Sequence, residues 1–473
     1  MRRCTGGIFV LSAAYLAVAA ASHAQTFTVI KRFNGSNGDN PEAALVQGRD
    51  GNLYGTTYNG GINNNGTVFR ITSAGAFKTL YKFCANFGGC LDGSGPAAGL
   101  VLATDGNFYG ITQVGGANSL GVMYKINSKG QYQVIYNFCP LSGCPDGAQP
   151  LSGLVQGSDG IFYGTAQDGG ANGNFGTVYA ITPSGSETTL HSFCQFAGCT
   201  DGGFPVSVLV QGADGNLYGS TGTFGANQKG TVFEITPGGG LTTLYSFCAL
   251  SNCLDGWGLR PGVVAGNDGN FYGVTGFGGG SSNCGPNTGC GTVFKVTPNG
   301  VLTTLHTFSS SDGAFPVGLV LGSDGNFYGA TSEGGTFNKG VFFEITPAGV
   351  FNLLHTFLSG NAATPSSPPV QLTDGNFYGV SSSGSGSIYK LSTGLAPFVK
   401  TVPIAAPAKT AVRILGTNLT GATSVTFNGV AAAFTVSATQ ISTKVPVGAT
   451  SGPVQVVTPG GTLTSNAAFQ VLP

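Results

Sequence analysis

A chain of 473 residues with 81 glycines, 41% hydrophobic and 11% aromatic side chains, yet only 8% charged ones, is too apolar to be disordered. It has room for two or three domains, and many short strands joined by glycine turns fit its composition. Basic and acidic residues number 19 each and form no basic stripe, which argues against a nucleic-acid partner.

Met1-Arg2-Arg3, an uncharged apolar run from Ile8 to Ala21, and the small residues Ser22 and Ala24 predict a secretory signal over residues 1–24. The apolar run is too short to span a bilayer, and no later segment is long and apolar enough to do so. Without Arg2 and Arg3 the mature chain keeps 17 basic residues against 19 acidic. It is expected to be secreted or held at the cell surface.

Next comes Thr26-Phe-Thr-Val-Ile-Lys-Arg-Phe33, which matches Ala76-Phe-Lys-Thr-Leu-Tyr-Lys-Phe83 but has no partner of its own. It reads as an orphan outer strand. Seven repeats follow, marked by Asp-Gly-Asn-Leu-Tyr-Gly at Asp50 and by its counterparts at Asp105, Asp159, Asp214, Asp268, Asp324 and Asp374. Their steps are 55, 54, 55, 54, 56 and 50 residues. Each repeat predicts four strands: A before the Asp-Gly turn, B as in Phe108–Thr112, C as in Gly230–Thr236, and D as in Leu241–Phe247. Asp-Gly-Asn and Pro-x-Gly supply the positive-φ turns between them. Four antiparallel strands repeated seven times predict an all-β, seven-bladed β-propeller over residues 25–394. The last repeat stops at strand C, Ser387–Leu391, so the orphan strand 26–33 is expected to close blade seven and hide two sheet edges.

These repeats resemble the GloVer tandem-repeat family of exported bacterial proteins. The Asp-Gly-Asn-Phe/Leu-Tyr-Gly and Gly-Thr-Val-Phe motifs carry the resemblance from residue 26 to about 394. It implies no particular activity. Members carry varied C-terminal anchors, whereas this chain ends in Phe469-Gln-Val-Leu-Pro473 without a hydrophobic helix or basic tail.

Pro397, Pro403 and Pro407 mark a linker after Gly394. Residues 395–473 then resemble an IPT/TIG domain through Val412–Leu419, Val425–Gly429, Ile441–Pro446, Val454–Gly460 and Phe469–Val471. Alternating apolar strands with Gly and Pro turns independently predict an immunoglobulin-like sandwich. Such domains serve as spacers or adhesion modules.

Ten cysteines outlast the signal, in the close pairs Cys84/Cys90, Cys139/Cys144, Cys194/Cys199, Cys248/Cys253 and Cys284/Cys290. An even count in an exported chain predicts five disulfides, each worth about 2 kcal/mol for so short a loop. Zinc would need a second pair or a histidine beside each.

In a propeller the D–A and B–C loops share one face. Here they carry all mature cysteines, the lone tryptophan and most length variation, so a site is expected there. Trp257, Arg260 and Phe277 of blade five are candidates for stacking on a glycan or docking a peptide. Asp168 and Glu333 occupy equivalent B–C positions of blades three and six. Asp39, Asp92, Asp146, Asp201, Asp255 and Asp312 each precede strand A. They make local turns, or they ring the channel mouth and hold Ca²⁺. No cofactor beyond such a calcium ion is expected. His191, His306 and His355 fall where other blades have Tyr81, Tyr136, Tyr245 and Lys31, a packing position rather than a catalytic one. No hydrolase elbow or phosphate cradle is present. The reading that results is a monomeric, non-catalytic binding or adhesion protein for an extracellular glycan or protein. Its rivals are a polysaccharide lyase or glycosidase on the same scaffold and a structural envelope component.

Overall fold

The computed structural model describes residues 25–85, 88–285, 288–360 and 362–472; the expected secretory signal at 1–24 lies outside them. The fold is all-β. Seven antiparallel sheets succeed one another between Thr26 and Ser392, six of four strands and one whose innermost strand is split. In the second, strands A to D are Val101–Leu102, Phe108–Thr112, Val122–Ile126 and Tyr132–Asn137. Strand A is two residues long in blades one, two, three and seven. It lengthens to Trp257–Ala265 in blade five and Ala314–Leu321 in blade six.

The repeat motif explains both the turn and the packing. In Asp105-Gly-Asn-Phe-Tyr-Gly, Gly106 takes φ +87°, and Asp105 accepts hydrogen bonds from the Asn107 backbone N–H (2.9 Å) and the Tyr109 hydroxyl (3.0 Å). The tyrosine–aspartate bond recurs in all seven repeats. The same tyrosine stacks on the motif phenylalanine of the next blade, with centroids at 4.1 Å for Tyr54–Phe108, 4.2 Å for Tyr109–Phe162 and 4.0 Å for Tyr272–Phe327. A polar turn and an apolar seam between blades thus come from one hexapeptide. The motif's final glycine lies under a strand C ring: a Cβ on Gly110 would stand 2.6 Å from Tyr124.

Thr26–Arg32 pairs antiparallel with Ser387–Ser392, so the N-terminal strand supplies the fourth strand of the last sheet. Phe27 stacks on His355 of blade six (4.3 Å) and on Tyr389 (5.6 Å).

Two four-stranded sheets and a two-stranded parallel one make up the C-terminal sandwich. Its core holds Val412, Ile414, Val425, Phe427, Ile441, Val454 and Phe469. It sits on the A–B turns of the propeller. Thr439 Oγ1 donates to the Arg49 carbonyl (2.8 Å), Thr417 and Thr373 hydroxyls meet at 2.9 Å, and Leu415 and Val402 join the apolar cluster of Leu100 and Leu102. Lys400 donates to the Gln371 carbonyl, and burial lowers its ammonium pKa to about 8.

Candidate functional site

All five disulfides are formed: Cys84–Cys90, Cys139–Cys144, Cys194–Cys199, Cys248–Cys253 and Cys284–Cys290. The first four close D–A loops just after the buried phenylalanines Phe83, Phe138, Phe193 and Phe247. The fifth lies in the B–C loop of blade five.

The acidic residues do not ring the channel. Asp92 accepts from the Tyr81 hydroxyl (2.8 Å) and the Cys84 N–H, and Asp146 from Tyr136 (2.9 Å) and the Cys139 N–H. Asp255, fully buried, accepts from Tyr245 (2.9 Å) and from the Ala249 and Leu250 amides. Asp201 and Asp312 take the same bond from histidines: His191 Nε2 at 3.0 Å and His306 Nε2 at 3.1 Å. Burial works to raise these two carboxyls. The bonds from His191 and the Gln195 N–H, and from His306 and the Ser309 N–H, outweigh it and hold both below the usual range. Each aspartate therefore ties its own D–A loop to the end of strand D. Asp39 differs, bridging through its backbone to Asn59. Among the described residues no three His, Cys, Asp or Glu side chains come close enough to hold a metal ion. The central cavity, about 290 Å³, is lined by Ala43, Ala98, Gly153, Val208 and Pro368, with Glu42 its one acidic lining residue. A calcium ion there would lack the carboxylates expected for it.

Histidine and tyrosine alternate at one strand D position because both offer a ring and a donor to the aspartate. The ring of His355 is instead stacked on Phe27, and burial lowers its pKa.

Trp257 opens strand A of blade five and is half-buried. Its indole stacks on Phe277 at 4.4 Å and 25°, and Lys229 Nζ stands 4.2 Å from the indole centroid. An ammonium cannot fit between rings stacked that closely, so Lys229 covers the opposite face. Trp257 is thus a keystone between two loops, not the open platform expected of it. Arg260 is exposed on the same strand, beside Gly276.

Sequence reasoning missed the neighbours. Phe315 of blade six meets Phe277 at 5.6 Å; Phe175, Phe204 and Phe224 of blades three and four pack together at 5.2–5.9 Å. Lys229 belongs to the same B–C loop as Phe224 and bridges to Trp257. The result is a half-exposed aromatic arc across four consecutive blades, with Asp168 and Glu333 in the blades at its two ends. Phe204, Phe224 and Phe315 hold left-handed backbone, at φ 51°, 63° and 54°. Bulky side chains are rarely found there, and such strain concentrates at functional sites. Phe-Pro in Gly203-Phe-Pro205 and Ala314-Phe-Pro316, where other blades have Gly95-Pro96 and Gln149-Pro150, was the available signal. From blade one to blade three the same face carries a polar chain, Tyr58 to Gln113 (2.7 Å) and Gln113 to Gln149 (3.4 Å).

A ring of four-stranded sheets with cystine-pinned loops on one face and an immunoglobulin-like sandwich on the other defines a repeat-built propeller protein with an appended β-domain. The chain belongs to the Gloeobacter/Verrucomicrobia repeat family, whose profile matches residues 16–210, 139–286 and 195–393, and residues 398–471 match the IPT/TIG domain. No curated protein matches it in sequence. Among solved structures it is similar to the extracellular domain of a protein assigned as a hybrid two component system in B. thetaiotaomicron, at 12% identity and TM-score 0.50, covering 94% of this chain and 54% of that one. This chain therefore spans about half of that structure, and the likeness bears on the fold alone. It is also similar to an auxiliary nutrient binding protein from Bacteroides ovatus (12% identity, TM-score 0.42, 78% and 76% of the two chains). A copper-containing fungal alcohol oxidase scores 12% identity and TM-score 0.38, over 79% and 96%. No helix among the described residues is long and apolar enough to cross a membrane.

Proposed function

We propose that this is an exported, monomeric, non-catalytic binding protein whose ligand is an extracellular glycan or protein, taken on the cystine-bearing face. Residues 1–24 serve as the secretory signal, 25–394 as the binding domain and 395–473 as a spacer. The observation that carries the reading is the aromatic arc. The repeats impose near-sevenfold likeness, and recognition of one ligand orientation needs a departure from it. Blades three to six supply that departure with six aromatic rings, two cations at Lys229 and Arg260, and the acids Asp168 and Glu333 at the flanks. Half-exposed rings beside uncharged amides suit the apolar faces and hydroxyls of sugars, which favours a glycan. Five disulfides suit an oxidising exterior.

A glycan array on the purified chain, with a turnover assay on the same polysaccharides, tests this. Binding without turnover is expected. Trp257→Ala removes the keystone of the arc and should weaken binding roughly thirtyfold, about 2 kcal/mol. Equal binding by Trp257→Ala would sink the site, and turnover would sink the non-catalytic reading.

A further inference from the structure

The D–A loops carry a second regularity, independent of the arc. In three of them an apolar residue stands three places before the second cysteine and points outward: Leu141, Phe196 and Leu250 are 65%, 53% and 52% exposed. Its carbonyl accepts from that cysteine's N–H, at 3.1, 2.9 and 3.0 Å respectively. The next turn residue but one, Gly143, Gly198 or Asn252, is left-handed. Turn, disulfide and aspartate clamp together fix each loop, so the apolar tip cannot fold back onto the blade. Leu91, just after Cys90, is 62% exposed on the neighbouring loop.

Chance exposure of one leucine needs no explanation. Here the same position is apolar and outward in three consecutive blades, while the residues around it are Pro, Ser, Gly, Gln, Ala and Asn. Residues 83–98, 138–150, 193–206 and 247–258 contain no lysine or arginine. Their only acids are Asp92, Asp146, Asp201 and Asp255, all engaged by hydrogen bonds with a ring of strand D.

We propose that this rim inserts its tips into an uncharged lipid surface. The repeat of the sheets places equivalent positions of successive blades at a common height, a blade apart, by symmetry. They form separate points on a plane rather than one patch, and a compact protein partner would cover one or two of them. A lipid interface is flat and deformable and meets all of them together. Tips on loops that carry no lysine or arginine insert by the hydrophobic effect, and Lys229, over the Trp257 ring, and Arg260 belong to the arc, so the attraction should not depend on anionic headgroups. Several weak insertions on one rigid body act multivalently.

The test is co-flotation of the full chain with phosphatidylcholine vesicles at 0.1 M and 1 M salt. Flotation at both concentrations is expected. A Leu141→Ser, Phe196→Ser, Leu250→Ser variant should float at least tenfold less while keeping its melting temperature and its glycan binding, since the tips touch neither core nor arc. Four results would each overturn the proposal: no flotation of the parent, unchanged flotation of the variant, binding confined to phosphatidylglycerol vesicles and abolished by 1 M salt, or light scattering that shows a dimer which the variant disperses and vesicles do not compete for. Failure of glycan binding with flotation intact would count against the arc and leave the rim standing.

Discussion

The two faces of the propeller use the same residue, aspartate before glycine, for opposite ends. On the turn face, Asp50 and its six counterparts close a tight hairpin and hold a tyrosine whose ring seals the seam to the next blade. These turns hardly vary, and the C-terminal sandwich rests on them. On the loop face, Asp92, Asp146, Asp201, Asp255 and Asp312 hold a ring donor of strand D and the first amides of a loop. What differs is what the clamp frees. A turn pinned at both ends has nothing left to display. A longer loop pinned at its base can present new side chains without disturbing the blade, which is where aromatic rings and exposed tips have accumulated.

The largest effect should come from the element both faces depend on. Removing Thr26–Arg32 strips six paired residues from the Ser387–Ser392 edge and uncovers Phe27's partners His355 and Tyr389. Burying Phe27, Val29 and Ile30 at about 1.5–3 kcal/mol each suggests a loss on the order of 5 kcal/mol. The melting temperature should fall by roughly 10 °C or more, with aggregation from the opened edge. A truncated chain that melts with the parent would remove the closure.

The faces themselves are separated by paired substitutions. Asp255→Ala removes a fully buried carboxylate from the Tyr245 hydroxyl and the Ala249 and Leu250 amides and should cost roughly 3 kcal/mol by chemical denaturation; Asp268→Ala, exposed in its turn, should cost about 1 kcal/mol. The reverse order would break the contrast. Calcium or a chelator should leave both proteins' melting temperatures unchanged, because a bound ion would raise them by mass action.

Architecture could be read from the sequence because it rests on local chemistry repeated seven times. Asp-Gly-Asn dictates its turn, Phe-Tyr-Gly its strand, and five short cysteine spacings their own pairs. The site could not be read in the same way. That Lys229 lies over Trp257 depends on two loops of different blades meeting, and no spacing in the chain encodes it. The acidic residues left two readings open for a related reason. Their position before strand A allowed a local turn or the channel mouth, and Asp92, Asp146, Asp201, Asp255 and Asp312 each reach outward to the end of strand D.

The smallest effect is a test of the repeat as a packing rule. Near the start of strand D one position holds Phe27, Phe77, Tyr132, Leu241, Leu302 or Phe351 in six blades and Glu187 in blade three. A carboxylate there replaces an aromatic or aliphatic side chain. Burial, opposed by the Thr189 hydroxyl bond and reinforced by Asp146, pushes its pKa from 4.5 up to about 7. The folded chain therefore holds this proton more tightly than the unfolded one, so stability falls as pH rises from about 4.5 through about 7 and then levels off. Glutamine carries no charge at either end of that window. Glu187→Gln should match the parent near pH 5 and exceed it at pH 8 by about 1 kcal/mol, the half-exposed carboxylate being partly screened by solvent. That is roughly 2–4 °C in melting temperature. A gain of equal size at both pH values would mean that shape rather than ionisation makes Glu187 the misfit. A parent more stable than the variant at pH 8 would mean the carboxylate has a partner beyond the Thr189 hydroxyl, and the position would then belong with the loop-face clamps.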